Sequence, residues 1–304
     1  MATLKGQNFR LCLFDTTAEK YKVVGMSTGC TITLTNNTDS AVTKDDVGLS
    51  EKPVTVSKSW SAQVDSLNVV DAAAILTAIK SMTPFTIMWD ETSTTDNQTR
   101  QKATFARKGQ AYLSDVTFNF NDRENATKSL QFTGSGALQT VGSSEATEVI
   151  ALGSYTKGQF VRLFLGSDNS AAPSKVIAFA KQLSLHVSLT MESVTTKDTQ
   201  GEWDAQEPTA LNYDISTTAL VRSGDTITSQ VQGQQLADVE TIYEGGTPVK
   251  WKIANVSGDN QRTASSTIVS GSVVLTQLTE NAPNRQAADY TAQFNGYGEY
   301  SVGS

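Results

Sequence analysis

Gln182-Leu183-Ser184-Leu185-His186-Val187-Ser188-Leu189-Thr190-Met191 is the stretch whose reading decides the fold. Apolar and polar residues alternate one for one, the period at which successive side chains leave opposite faces of a β-strand. Leu183, Leu185, Val187, Leu189 and Met191 share one face, and Gln182, Ser184, His186, Ser188 and Thr190 share the other. The same alternation sets Leu211, Tyr213 and Ile215 against Asn212, Asp214 and Ser216. In residues 31–36 it sets Ile32 and Leu34 against Thr31, Thr33 and Thr35. In residues 54–66, Val54, Val56, Trp60, Ala62 and Val64 oppose Thr55, Ser57, Ser59, Ser61, Gln63 and Asp65. A mainly β chain is expected, with apolar faces inward.

The chain also repeats itself, which organises everything else. Lys5-Gly6-Gln7 returns as Lys157-Gly158-Gln159, and Arg10-Leu11-x-Leu13 as Arg162-Leu163-x-Leu165, both 152 residues on. Thr43-Lys44-Asp45, Gly48, Trp60 and Leu67 meet Thr196-Lys197-Asp198, Gly201, Tyr213 and Leu220 at 153. Thr83-Pro84 meets Thr247-Pro248 at 164, so the second copy carries about eleven extra residues around 222–235. Gly109, Arg123, Phe132 and Gly134-x-Gly136 then meet Gly271, Arg285, Phe294 and Gly296-x-Gly298 at 162. Ordered matches at a slowly drifting offset imply a tandem duplication, with copies over 1–142 and 156–304 and a linker over 143–155. Each copy interrupts its strands once with a short helix. In residues 71–81, Ala72, Ile75, Leu76 and Ile79 fall at helical spacing, Asp71 can cap the start and Pro84 follows the end. Residues 236–244, with Val239, Ile242 and Tyr243 inward, are the counterpart.

Composition excludes much. The 304 residues carry 24 Lys+Arg against 31 Asp+Glu, a net charge of −7, with one histidine and two cysteines, Cys12 and Cys30. A His-rich metal centre and a disulfide framework are ruled out, and gripping of phosphates by clustered cations is disfavoured. No apolar run reaches the ~18–20 residues of a membrane helix, and the start at Met1 reads as no signal peptide. Gly25-Met26-Ser27-Thr28-Gly29 matches the nucleophile elbow of hydrolases, but that turn must lead into a helix. Here Cys30-Thr31-Ile32-Thr33-Leu34 alternates as a strand, and the one histidine lies within the other copy, so the motif reads as a turn. Asp45-Asp46 and Asp238-x-Glu240 lack the spacing of a calcium loop, and the Gly-x-Gly pairs lack the following glycine and helix of a dinucleotide fingerprint. No catalytic, cofactor or metal residue is expected.

The order of these features, occurring twice, resembles the tail tube proteins of long-tailed bacteriophages. The residues that carry the resemblance are Thr43-Lys44-Asp45, Gly48, Trp60 and Leu67, and again Thr196-Lys197-Asp198, Gly201, Tyr213 and Leu220; each set precedes a short helix, a Thr-Pro step and a closing Gly-x-Gly. The resemblance implies two tandem β-sandwich or half-barrel domains, each with one flanking short α-helix and four strands given to a continuous inner barrel. It implies stacked rings, hexameric for single-domain members and trimeric with pseudo-sixfold symmetry for a duplicated chain. The implied partners are the chain itself, the terminator, tape measure, and baseplate or tip proteins, and double-stranded DNA in transit, with no membrane, no cofactor and no enzymatic activity. Assembly in the host cytoplasm and residence in the virion tail follow. On this reading Thr31, Thr33, Ser57, Ser59, Ser61, Gln63, Ser184, His186, Ser188, Asn212, Asp214 and Ser216 line the lumen. Residues 38–53 and 192–208, bearing Thr43, Lys44, Asp45, Thr196, Lys197 and Asp198, form inter-ring or inter-subunit loops. Two alternatives stand beside it: a secretion-system or contractile-injection tube, and a tandem β-sandwich binding or adhesin module.

Overall fold

The alternating segments become long strands because their Thr, Val, Ile and aromatic residues suit a pleated surface buried on one side. The computed structural model describes residues 6–15, 19–40, 42, 45, 52–67, 69, 71–93, 105–142, 147–148, 155–196, 202–222, 233–256 and 262–303. In chain order the first half holds β1 (Phe9–Asp15), β2 (Lys20–Val23), β3 (Ser27–Ser40), β4 (Pro53–Ser66), α1 (Ala72–Lys80), β5 (Phe85–Glu91), β6 (Arg107–Asn121), β7 (Thr127–Thr140) and β8 (Thr147–Glu148). The second holds β9 (Val161–Leu165), β10 (Lys175–Val176), β11 (Ala180–Ser193), β12 (Gln206–Leu220), α2 (Leu236–Gly245), β13 (Val249–Val256), β14 (Ala264–Asn281), β15 (Asp289–Gly296) and β16 (Ser301–Val302).

Pairing in the two halves follows one plan. The order β2-β1-β5-β6-β7-β4-β3 recurs as β10-β9-β13-β14-β15-β12-β11, antiparallel at each of these pairings. Irregularities recur as well. The register slips at Ser27/Gly29 and Asn37/Thr38 in β3 return at Ala180/Gln182 and Thr190/Met191 in β11, and Leu113/Asp115 in β6 returns at Leu275/Gln277 in β14. Left-handed backbone does the same: Met26 and Phe179, Met82 and Gly246, Arg123 and Arg285, and Gly136 and Gly298 all have positive φ, and each pair sits at its local sequence offset. Bulges and left-handed residues are determined locally and are costly to misplace, so the two halves match in backbone detail as well as in strand order.

The core lies between the long strands and the helix-bearing outer layer. Trp60 lies flat over two glycines: a Cβ on Gly109 would come within 2.6 Å of its ring, and one on Gly134 would overlap it outright. Tyr213 takes the same place in the second half, where a Cβ on Gly296 would come within 2.5 Å of its ring. The polar atom of each aromatic is satisfied: Trp60 Nε1 donates to Gly136 O at 3.0 Å and the Tyr213 hydroxyl to Ser272 O at 2.6 Å. Trp89 and Trp251 are buried beside them.

Three expectations need correction. Leu34, Val54 and Val56 are exposed rather than inward, although Val187, the counterpart of Leu34, is 1 % exposed. β11 is flanked on both sides, by β12 and β6, whereas among the described residues β3 pairs β4 alone, and the β3–β4 ribbon runs past the core. Alternation chooses a face; it does not supply a neighbour to cover it. Tyr243 on α2 is likewise exposed, leaving Val239 and Ile242 as the buried residues of that helix. Asp71 makes no side-chain cap bond to α1; its carboxylate instead accepts two hydrogen bonds from the buried Lys128, at 2.5 and 2.7 Å.

Candidate functional site

The halves meet strand to strand. The second part of β6 pairs antiparallel with β11, from Asp115 opposite Ser188 to Asn121 opposite Gln182. This joins two four-strand sets into one run of eight, β3-β4-β7-β6-β11-β12-β15-β14. Helix α1 reinforces the joint, since the Tyr300 hydroxyl donates to Leu76 O at 2.7 Å and Lys80 Nζ donates to Tyr300 O at 2.8 Å.

All twelve residues expected on a common polar face stand in register on one face of this run. Thr31 faces Gln63 and Thr33 faces Ser61; Ser184, His186 and Ser188 face Ser216, Asp214 and Asn212. Ser57 and Ser59 continue the β4 row opposite Asn37 and Thr35. None of the twelve is buried. Strands β6, β7, β14 and β15 continue the face with Asp115, Thr117, Asn119, Ser129, Gln131, Gln277, Thr279 and Gln293, which the sequence reading left out. The parity of Asp115, Thr117 and Asn119 against Val116, Phe118 and Phe120 was the available signal. No Lys or Arg occupies any of these named positions, so the face offers amides and hydroxyls together with carboxylates at Asp115 and Asp214.

His186 sits at the centre of the joint. Its Nε2 lies 2.5 Å from Asp115 Oδ2 on β6, and its Nδ1 lies 2.7 Å from Asp214 Oδ2 on β12. Burial lowers its pKa, but the hydrogen bonds and negative charge of the two aspartates outweigh burial and leave it above the ordinary 6.5. Both ring nitrogens donate only in the imidazolium, so the clasp is complete only when protonated. A raised folded-state pKa contributes stability that is full below the unfolded value of 6.5 and is lost as pH rises through the folded value. The protein is therefore expected to lose about 1 kcal/mol more than its His186→Gln variant as pH rises from below 6.5 through the folded value, a figure discounted for partial exposure. Urea titrations of both proteins at each pH check this; parallel losses would exclude the clasp as the source.

The chain that returns into β12 also crosses the joint. Lys58 N–H donates to Glu202 O at 2.5 Å, Asp204 N–H to Lys58 O at 2.9 Å, and Gly136 N–H to Asp204 O at 2.9 Å. The Asp204 carboxylate accepts from Ser57 Oγ and Asn37 Nδ2, Gln206 N–H donates to Ser135 Oγ, and Lys58 pairs with Glu202. Of the residues expected in loops, Thr43, Lys44, Lys197 and Asp198 lie outside the described residues; Asp45 and Thr196 are in non-strand backbone. Residues 38–40 and 192–193 belong to strands β3 and β11 rather than to loops.

The remaining motifs fall in ordinary surroundings. Gly25 and Met26 form the turn into β3, and Ser27, the first residue of that strand, accepts a hydrogen bond from Arg10 at 2.5 Å. Among the described residues Cys12 and Cys30 form no disulfide, and burial pushes the Cys30 thiol up to about 11. Asp238 accepts from the Gln235 N–H and caps α2. Among the described residues, no group of three or more His, Cys, Asp or Glu could hold a metal, and no helix is long and apolar enough to cross a membrane.

Residues 158–302 match the model of a family described as phage tail tube protein. No curated protein matches the sequence. Among solved structures, a chain of the virion of a native gene transfer agent particle is 15 % identical, with a TM-score of 0.37 over 49 % of this chain and 99 % of that one. A chain of the tail of an empty gene transfer agent particle is 16 % identical, TM-score 0.36, over 48 % of this chain and 95 % of that one. The SPP1 tail tube is 15 % identical, TM-score 0.36, over 48 % and 78 %. Residues 158–302, just under half of the chain, are thus similar to the phage tail tube proteins.

Proposed function

We propose that this chain is a structural subunit of a phage tail tube in which copies close edge to edge into stacked rings, in the virion tail, around a lumen that conducts DNA. One observation carries the reading. The β6–β11 joint has two counterparts that are unfilled among the described residues: there β3 pairs β4 alone, and β14 beyond Val273 pairs β15 alone. Shifting the internal register by the repeat offsets brings Thr31, Thr33 and Thr35 of one copy opposite Asn281, Thr279 and Gln277 of the next. The long strands carry their polar face through this second joint without a break in parity. Closure would also cover Leu34, whose counterpart Val187 is covered by the internal joint, and would remove the open edges that otherwise invite indiscriminate pairing.

Residues 1–142 and 156–304 are on this reading two copies of one tube domain joined by 143–155. Three chains supply the six domains that the resemblance to single-domain hexameric tubes implies. Ring closure turns the polar face inward. Without lysine or arginine at its registered positions, that face gives a polyanion no counterion-release affinity, which suits passage rather than binding. Terminator, tape measure and baseplate or tip proteins are the expected neighbours at the tube's ends, with assembly in the host cytoplasm.

Negative-stain microscopy over a concentration series tests this. Rings or tubes with three chains around a central hole are expected. Two-lobed monomers at every concentration would remove the reading and favour a tandem binding module.

A further inference from the structure

The contact made by the chain entering β12 occupies a socket on the first half, and the second half has the same socket. In the first half the socket is the start of β4, at Ser57 and Lys58, and the turn after β7, at Ser135 and Gly136, filled by residues 202–206. At the repeat offsets its counterpart is Ala210 and Leu211 at the start of β12, with Tyr297 and Gly298 after β15. There a groove of about 670 Å³ lies open, walled by Leu211, Asn212, Gly296 and Gly298 and by Lys80 and Glu299. Gly136 N–H is bonded to Asp204 O, whereas Gly298 N–H has no partner among the described residues. Leu211 lies on the part of β12 that, among the described residues, pairs β11 alone, because pairing with β15 begins at Asp214.

We infer that this groove receives residues 49–53 of a second copy of the chain. Those residues, Leu49-Ser50-Glu51-Lys52-Pro53, stand to β4 as Glu202-Trp203-Asp204-Ala205-Gln206 stand to β12. The chemistry changes on both sides together. Where the filled socket sets Lys58 against Glu202, the open one has Leu211 for a segment bearing Leu49, so an ion pair is exchanged for an apolar pair. Glu51 replaces Asp204 and keeps the acid, but on the groove wall Lys80 already pairs with Glu299 at 3.1 Å and Asp214 adds a second carboxylate, so the apolar pair carries the match. The chain cannot fill its own groove. Pro53 is fixed in β4, four strand steps from β12, roughly 19 Å at ~4.8 Å per step. Leu49 is four residues from Pro53 and reaches at most about 14 Å. The occupant is therefore another copy, and the inference rests on the ring proposed above, specifying a contact that the edge-strand joint does not require.

Disulfide trapping tests it, in a background with Cys12 and Cys30 replaced by Ala. Chains carrying Leu49→Cys are mixed with chains carrying Leu211→Cys, allowed to assemble, and oxidised. A covalent dimer is expected from the mixture, and a covalent ladder ending at three chains from the doubly substituted protein. The Lys58→Cys/Glu202→Cys pair should close within one chain. Rings that form without any 49–211 link, or a link closing within a single chain, would overturn the socket and leave the ring standing. Absence of assembly at every concentration would overturn both. As a second measurement, Leu211→Glu is expected to raise the concentration for half-assembly roughly tenfold, with Leu49→Lys restoring much of the loss; undiminished assembly of Leu211→Glu would count against the contact.

Discussion

Replacing Asp71 with alanine is expected to cost about 3 kcal/mol of unfolding free energy, whereas Lys128→Met should cost less than about 1. The asymmetry comes from where each charge stands. The Lys128 side chain is 1 % exposed and its ammonium is held by both oxygens of Asp71. Burial pulls this lysine's pKa down, and only the charge and hydrogen bonds of Asp71 resist. Without Asp71 a positive charge is left in the interior with no counterion. Without Lys128, the aspartate, 43 % exposed, hydrates, and a methionine fills the vacated stem volume. Urea denaturation of both variants decides the matter, and equal losses would show that the pair is only a packing contact.

A single proline in β3 should abolish assembly without unfolding the chain. Along a strand with one neighbour, consecutive amides point alternately toward that neighbour and away from it. Thr33→Pro and Leu34→Pro therefore differ sharply. One removes an amide bonded to β4 and weakens the ribbon; the other removes an amide on the open edge, which a folded monomer tolerates and an incoming strand does not. The expected result is one destabilised variant and one with a native circular dichroism spectrum that sediments as a monomer at all concentrations. If both variants form rings, β3 is not the joining edge.

How far the sequence could be read depended on the range of each interaction. Alternation in 182–191 and 31–36 gave strand faces because side-chain direction is a property of the local backbone. The drifting offsets were legible for the same reason, and the structure carries them down to paired left-handed residues such as Arg123 and Arg285. The β6–β11 joint was not legible, since nothing in an alternating strand marks which edge it will meet. Parity predicts Val54, Val56 and Leu34 inward, because alternation reports a face and not whether anything covers it; all three are exposed. Asp71 was assigned to the cap its position favours, while its partner is 57 residues away in sequence and invisible to any window. Alternation shows the polar face on twelve residues of β3, β4, β11 and β12, but its continuation through β6 and β7 needs the register between strands.

The histidine clasp has a consequence for how the two kinds of joint can evolve. At the repeat offsets, the places of Asp115, His186 and Asp214 are taken by Gln277, Thr33 and Ser61, and those of Lys58 and Glu202 by Leu211 and Leu49. A ring built from one repeated domain has a single interface copied all the way round, so any charge introduced there is multiplied by the symmetry. Fusing two domains breaks that degeneracy. In the ring proposed above, the seam inside the chain would be free to become ionic and responsive to protons while the seam between chains would stay neutral. Acid and alkali would then act on alternate seams only, and a ring under stress would have a preordained order in which its seams give way.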